Sequence, residues 1–204
     1  MKLAEVYDQN AGYWDSTLYR TVYHGAYVRL FRTLQRAGAL GRPKQVLDCG
    51  IGAGLLSEAL LDIADWRPDL NGIDRSSKLL TMAESKFNRR GVRARLALGD
   101  IRSLPYRDEE MELVLSGLVL EHIPKPVDAV REMTRVLRRG SLLVLTATRR
   151  GAPDHYFRRK YRYTPYPAAA LLSWMKEAGL TEVRAYPFSG IARFFARAYV
   201  GVRV

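Results

Sequence analysis

The chain has 204 residues, enough for one α/β core but too few for a second sizeable domain. Its 33 Lys and Arg against 21 Asp and Glu leave a net charge of +12, which turns attention to anionic partners. The single Cys49 excludes an intramolecular disulfide and a cysteine-rich metal site, and no apolar run approaches the about 18 residues of a spanning helix. Residues 1–5 lack the core of a signal peptide, so the expected location is cytoplasmic.

Residues 1–44 stand apart from the rest of the chain. Between 18 and 34 the apolar residues Leu18, Val22, Ala26, Leu30 and Leu34 recur every four positions, with Arg20, His24, Arg29, Arg32 and Arg36 supplying charge. This spacing predicts a basic amphipathic helix that packs on the sheet or covers a site; docking on a membrane is the alternative. From residue 45 strands and helices alternate. A strand at 46–49 leads into a glycine-rich turn and a helix over 54–64. A strand at 70–74 precedes a helix capped by Ser76 or Ser77 that stops before Gly91. Strands come next at 95–98 and 111–116, then an amphipathic helix at 127–137 that stops at Arg138-Arg139-Gly140, and a buried strand from Ser141. A last helix over 168–178 precedes two β-rich segments, 180–186 and 194–204, whose short connection predicts a hairpin.

The glycine-rich turn carries the chemistry. Gly50, Gly52 and Gly54 permit positive φ and let a ligand approach bare backbone, and Asp48 puts a carboxylate where the turn begins. A dinucleotide loop reads G-x-G-x-x-G, whereas this one has Leu55 at the last position and its third glycine one place early. A pyrophosphate fits poorly beside Asp48. S-adenosylmethionine, with its sulfonium and ammonium, suits an acidic loop.

The D-x-G-x-G-x-G string resembles that of the class I S-adenosylmethionine-dependent methyltransferases, and three further segments stand in the family's order. Leu70 to Asp74 reads as a second strand ending in an acid, Arg95 to Ile101 as a third ending in Gly-Asp, and Met111 to Ser116 as a fourth leading into Gly117 to Pro124. Asp48 to Asp74 and Asp74 to Asp100 are both 26 residues apart, each one strand-helix-strand crossover. The resemblance implies that Asp74 bonds the ribose hydroxyls, that Asp100 and Ile101 meet the adenine, and that Ser116 and the segment after it lie beneath the methionine moiety. It also implies a three-layer Rossmann-like α/β fold with a seven-stranded, mostly parallel sheet in the order 3-2-1-4-5-7-6 and an antiparallel last strand. Arg75 departs from the family, which usually has an apolar residue near the adenine.

Tyr7 to Asp15 is similar to the opening of the ubiquinone/menaquinone C-methyltransferase-like enzymes, in which it folds over the cofactor as a lid. Residues 1–44 are thus expected to cap residues 45–204, with Tyr7 and Trp14 closing the cofactor site. His122, after the fourth strand, is expected as a general base or, with Glu121, as a brace for the loop before Pro124. Glu121-His122 is also similar to part of the metal-binding E-x-x-E-H motif of ubiquinone-pathway O-methyltransferases. Leu118 replaces its first acid, so no metal is expected.

Arg149, Arg150 and residues 156–163 make an Arg/Tyr cluster within a substrate-cap insertion around 149–167. It suits a carboxylate or phosphate of a small substrate, an anionic membrane surface or RNA, or it is a solvated loop. The expectation is methyl transfer to a small-molecule or lipid-like acceptor, with S-adenosylhomocysteine as the second product. A phospholipid N-methyltransferase working at the inner membrane face through residues 18–36 and 156–163 is the alternative, and an inactive cofactor-binding partner subunit is the third reading. Nucleic acid ranks last, because the chain lacks the Pro-Pro-Tyr type of motif of base N-methyltransferases.

Overall fold

The computed structural model describes the backbone of residues 5, 8–14, 16–151, 155–161 and 163–204, and the side chains of all these except 13, 14 and 155–157. Seven strands form one sheet: β1 (Gln45–Cys49), β2 (Asp69–Asp74), β3 (Ala94–Leu98), β4 (Met111–Gly117), β5 (Leu137–Thr148), β6 (Leu180–Pro187) and β7 (Ala196–Arg203). Their order is 3-2-1-4-5-7-6, as the resemblance implied. Strands β1 to β5 pair in parallel, while β7 is antiparallel to both β5 and β6. The main helices are α1 (Thr17–Arg36), α2 (Leu55–Leu61), α3 (Ser77–Arg89), α4 (Pro126–Val136) and α5 (Ala168–Glu177).

The period of two in the strands sorts the apolar residues between two faces. Val46, Leu113, Leu115 and Val144 join one core with α1, α2 and α3, whereas Leu47, Val114, Leu143 and Leu145 join the other with α4 and α5. The central strands are therefore apolar on both sides, as a parallel sheet covered by helices requires. Helix α3 starts where Ser76 accepts the Leu79 N–H, and α5 stops before Gly179 in the left-handed region.

The first crossover helix is shorter than the 54–64 of the sequence reading, and the start of β5 and the face of α1 also bear comparison with it. β5 begins at Leu137, directly after α4, because Arg138 reaches back to the Glu109 carbonyl and to Glu112; the pairing with β4 then shifts register before Leu142, where Gly140 takes φ +76°. The buried stripe of α1 is Ala26, Tyr27, Leu30, Phe31 and Leu34, while Leu18 is 64% exposed. Ala26, Leu30 and Leu34 of the every-fourth pattern are thus buried and Val22 packs against the core; Leu18 alone points outward, and Tyr27 and Phe31 widen the buried stripe. With its apolar face buried, α1 offers only its basic side to any other surface.

A buried charge cluster fastens α1 to the sheet layer. Glu58 on α2 takes both guanidinium N–H groups of Arg20 at 2.7 and 3.0 Å, with Lys86 at 3.5 Å and Arg90 at 3.4 Å. Burial alone would raise the Glu58 carboxyl; Arg20, Lys86 and His24 outweigh it and bring it down to about 2. Its stabilising contribution is therefore complete above the ordinary glutamate value and is lost as pH falls from about 4.5 towards 2. Glu58→Gln removes the negative charge that Arg20, Lys86 and Arg90 share and is expected to cost about 2–3 kcal/mol at neutral pH. Urea unfolding at several pH values checks this: the difference between the wild type and the variant shrinks below pH about 4.5.

Candidate cofactor and acceptor site

The site is built at the carboxyl ends of β1, β2 and β4, where strand order reverses between β1 and β4 and a crevice opens. β1 ends at Cys49, and the chain turns sharply because both Gly50 N–H (2.7 Å) and Ile51 N–H (3.1 Å) donate to the Ile73 carbonyl at the tip of β2. That turn needs φ of +74° at Gly50, where a Cβ would come within 2.4 Å of Val119 Cγ2. Gly54, at φ +82°, lets the Phe87 ring approach to 2.7 Å of where its Cβ would stand, and α2 begins at the next residue. Gly52, at φ +54°, has no heavy atom within 4 Å of its would-be Cβ, so its backbone lies open to a ligand.

Asp74 holds the loop in place. One of its carboxylate oxygens accepts the Gly52 N–H and the other the Ser76 N–H, both at 2.9 Å. Burial raises its pKa against these bonds. Each oxygen keeps a lone pair for ribose hydroxyls. Asp48 is 1% exposed: Oδ2 accepts from the Ser57 hydroxyl at 2.6 Å, and Oδ1 has no hydrogen-bond partner among the described residues. Burial pushes its carboxyl up to about 6. A buried, half-satisfied carboxylate at a cavity wall is what a cationic ligand would complete, so the residues present fit a sulfonium cofactor and not a pyrophosphate.

At the tip of β3, Asp100 is held below the usual carboxylate range, chiefly by the Arg102 side chain at 2.6 Å. Arg75 lies 4.0 Å from it and is half exposed at the cavity rim, so this rim is a salt-bridged edge rather than an apolar wall. Ile101 is buried and faces the same cavity.

The cavity brings together Asp48, Gly50, Gly52, Asp74, Arg75, Asp100, Ile101 and His122. Gly54 shapes the loop from behind. Ser116 is not at the cavity wall: it is 1% exposed, and its hydroxyl donates to the Cys49 carbonyl at 2.8 Å, tying β4 to β1. Tyr7 lies outside the described residues, as do the side chain of Trp14 and those of Tyr156, Phe157 and Arg162. The neighbouring Ala11 is buried against Ala53 and Leu79, and Asp8 accepts a hydrogen bond from Ser76, so the N-terminal segment sits on the glycine loop.

Sequence reasoning missed Tyr19 and Tyr27 of α1, which line the cavity. The signal was the run of tyrosines at 19, 23 and 27, spaced by four and facing one way on a helix. Tyr27 is fully buried, and burial raises its phenol pKa. Leu118, in the left-handed region at φ 56°, also lines the cavity.

After β4 a single 3-10 turn, Leu120–His122, carries the Glu-His pair. Glu121 is buried and accepts from the Thr148 N–H (3.1 Å) and hydroxyl (2.5 Å), while its carbonyl accepts the Thr164 N–H (2.9 Å). Glu121 thus braces the tip of β5 and the segment before α5. His122 faces the cavity, with its ring edge-on to Tyr163 at 5.2 Å. Burial lowers its pKa to about 4 against a hydrogen bond to the Tyr161 backbone, so its imidazole is neutral at physiological pH.

Comparison with known proteins agrees with this geometry. Residues 47–145 match the family described as a methyltransferase domain. A demethylmenaquinone methyltransferase of Bacillus pumilus is 26% identical over 72% of this chain and 74% of its own length. A phosphatidylethanolamine N-methyltransferase of Cereibacter sphaeroides is 32% identical over 56% of this chain, which spans 54% of that relative. Among solved structures, an S-adenosylmethionine-dependent methyltransferase from Thermotoga maritima superposes over 100% of both chains with a TM-score of 0.76 at 16% identity. The family match runs from β1 to β5 and the fold match over the whole length, so residues 47–145 form a methyltransferase domain and the chain as a whole has the fold of the class I S-adenosylmethionine-dependent methyltransferases.

Proposed function

We propose that this chain methylates a small-molecule or lipid-like acceptor, with the donor lying across the tips of β1, β2 and β3. The observation that carries this reading is the Asp48 carboxylate, buried with an oxygen that has no partner among the described residues, beside backbone that only glycine can shape. In the bound state Asp48 would face the cationic end of the donor, Asp74 the ribose, and Asp100 with Ile101 the adenine, while Arg75 covers the rim. When bound, S-adenosylmethionine supplies an already activated methyl group. The protein's work is then to align an acceptor atom about 3 Å from that carbon and to exclude water. Tyr19 and Tyr27 wall the cavity on the α1 side. Residues 1–44 act as a cap, a role supported by the packing of Ala11 on Ala53 and Leu79.

His122 is proposed as the proton acceptor. It is neutral at working pH and so competent to take a proton, but weakly basic, which suits an acceptor that is itself acidic, such as a phenol or an activated carbon. The aromatic lining and the Bacillus pumilus relative support an apolar, ring-bearing acceptor. Phospholipid N-methylation is the second reading, favoured by the Cereibacter sphaeroides relative and by the exposed Arg158, Arg159 and Lys160 of the short helix His155–Tyr161. Single turnover with radiolabelled donor and fractionated lipid and aqueous extracts tests both, and no labelled product from any fraction would sink the proposal.

Two substitutions probe the roles. Asp48 has a folded-state pKa above its unfolded one, so in the ligand-free protein its ionisation costs stability as pH rises from about 3.8 to about 6. A cationic ligand reverses that cost, and calorimetry should find donor affinity falling as pH drops through about 6. Asp48→Asn is expected to bind at least tenfold more weakly at pH about 7.5 and to lose that pH dependence. His122→Ala should lower kcat about 100-fold with donor affinity unchanged if His122 moves the proton. If it only ties Tyr161 and Tyr163 to the cavity, the effect appears instead in acceptor KM and in thermal stability.

A further inference from the structure

Because β7 runs antiparallel, it begins where β5 ends, and the β6–β7 connection emerges at the same edge of the sheet as the cofactor cavity. On that connection Ile191 is 59% and Phe194 50% exposed. Around them stand four arginines. Arg149, Arg193 and Arg197 line a groove floored by Phe188 and Phe194, and Arg29 reaches from α1 to the Ser189 hydroxyl at 2.6 Å. Among the described residues none of the four is ion-paired: Arg149 donates to the Arg193 carbonyl, and the Arg193 guanidinium lies 4.7 Å over the Phe194 ring. Elsewhere the arginines at structural joints, such as Arg20, Arg90, Arg102 and Arg135, each hold a carboxylate.

We propose that this knuckle, formed by residues 188–197 with Arg29 and Arg149, docks the protein on an anionic membrane surface. Guanidinium groups without counter-charges match lipid phosphates by paired N–H contacts, and Ile191 and Phe194 enter the boundary between headgroups and acyl chains. Of the two segments that the sequence pointed to, the surface takes only Arg29, since the apolar stripe of α1 is spent in the core. It deepens the lipid-like reading of the acceptor and rests on it. Tyr27 lines the cofactor cavity and meets Phe188 edge-on at 5.7 Å, so a single pair of rings separates the docked face from the transfer site.

The full chain is floated with vesicles of phosphatidylcholine alone and of phosphatidylcholine with phosphatidylglycerol, at low and at physiological salt. Salt-sensitive association with the anionic vesicles is expected. Arg193→Ala and Arg197→Ala should each weaken it about fivefold, which corresponds to about 1 kcal/mol. The double variant I191S/F194S should weaken it about tenfold. Thermal melting and donor calorimetry on the same variants are expected to match the wild type, since these side chains lie outside the core and the cofactor cavity. Equal association with both vesicle types, or association untouched by the substitutions, overturns the proposal. So does tighter retention on a single-stranded RNA that is indifferent to I191S/F194S. Donor calorimetry on the wild type reads the proposed function separately, so that either reading can fail alone.

Discussion

The Ile73 carbonyl at the end of β2 takes two N–H groups from the turn after β1, and the site depends on that bond pair. It forces the chain back over the sheet at Gly50, where a side chain has no room, and it delivers the Gly52 amide to Asp74. Because β1 and β2 are parallel and in register from Gln45–Asp69 to Cys49–Ile73, the two strand tips sit side by side and the loop has a rigid rim to rest on. Position then accounts for the acids: each ends a strand, or begins the loop after one, at the same edge.

Charge within the cavity is arranged in the opposite sense to the charge of the whole molecule. The chain carries +12, yet the cofactor cavity is walled by Asp48, Asp74 and Asp100. Asp48 and Asp74 are buried, and burial raises both; Asp100 is neutralised by Arg102. Such a cavity stores an electrostatic cost that a bound cation would relieve. The excess positive charge lies outside, on the far side of α1 and around the β6–β7 connection.

The residues after β4 hold one another and the segments beside them. Glu121 fastens the β5 tip and the backbone of Thr164, and His122 touches Tyr161 and Tyr163. The post-β4 turn therefore links the cavity to the segment between β5 and α5. No helix among the described residues is long and apolar enough to cross a membrane.

The amino-acid sequence by itself determined the alternation of strands and helices, the glycine turn, and the position of the acids Asp48, Asp74 and Asp100, because these are local: each comes from short-range periodicity or from spacing along one crossover. The strand order and the antiparallel last strand were legible only through family resemblance, and the structure bears them out. What only the tertiary structure decided depends on rotation and neighbours. Tyr19 and Tyr27 of α1 reach the cavity because the buried stripe is wider than the every-fourth pattern and takes in Tyr27 and Phe31 beside Ala26, Leu30 and Leu34. Ser116 serves the backbone of β1 instead of the cavity because alternation along β4 points it inward. Ile191 and Phe194 gave no signal in the sequence, and Arg29 and Arg149 stood there in separate segments; they form one face with Arg193 and Arg197 because an antiparallel strand brings residues 149 and 197 to the same edge.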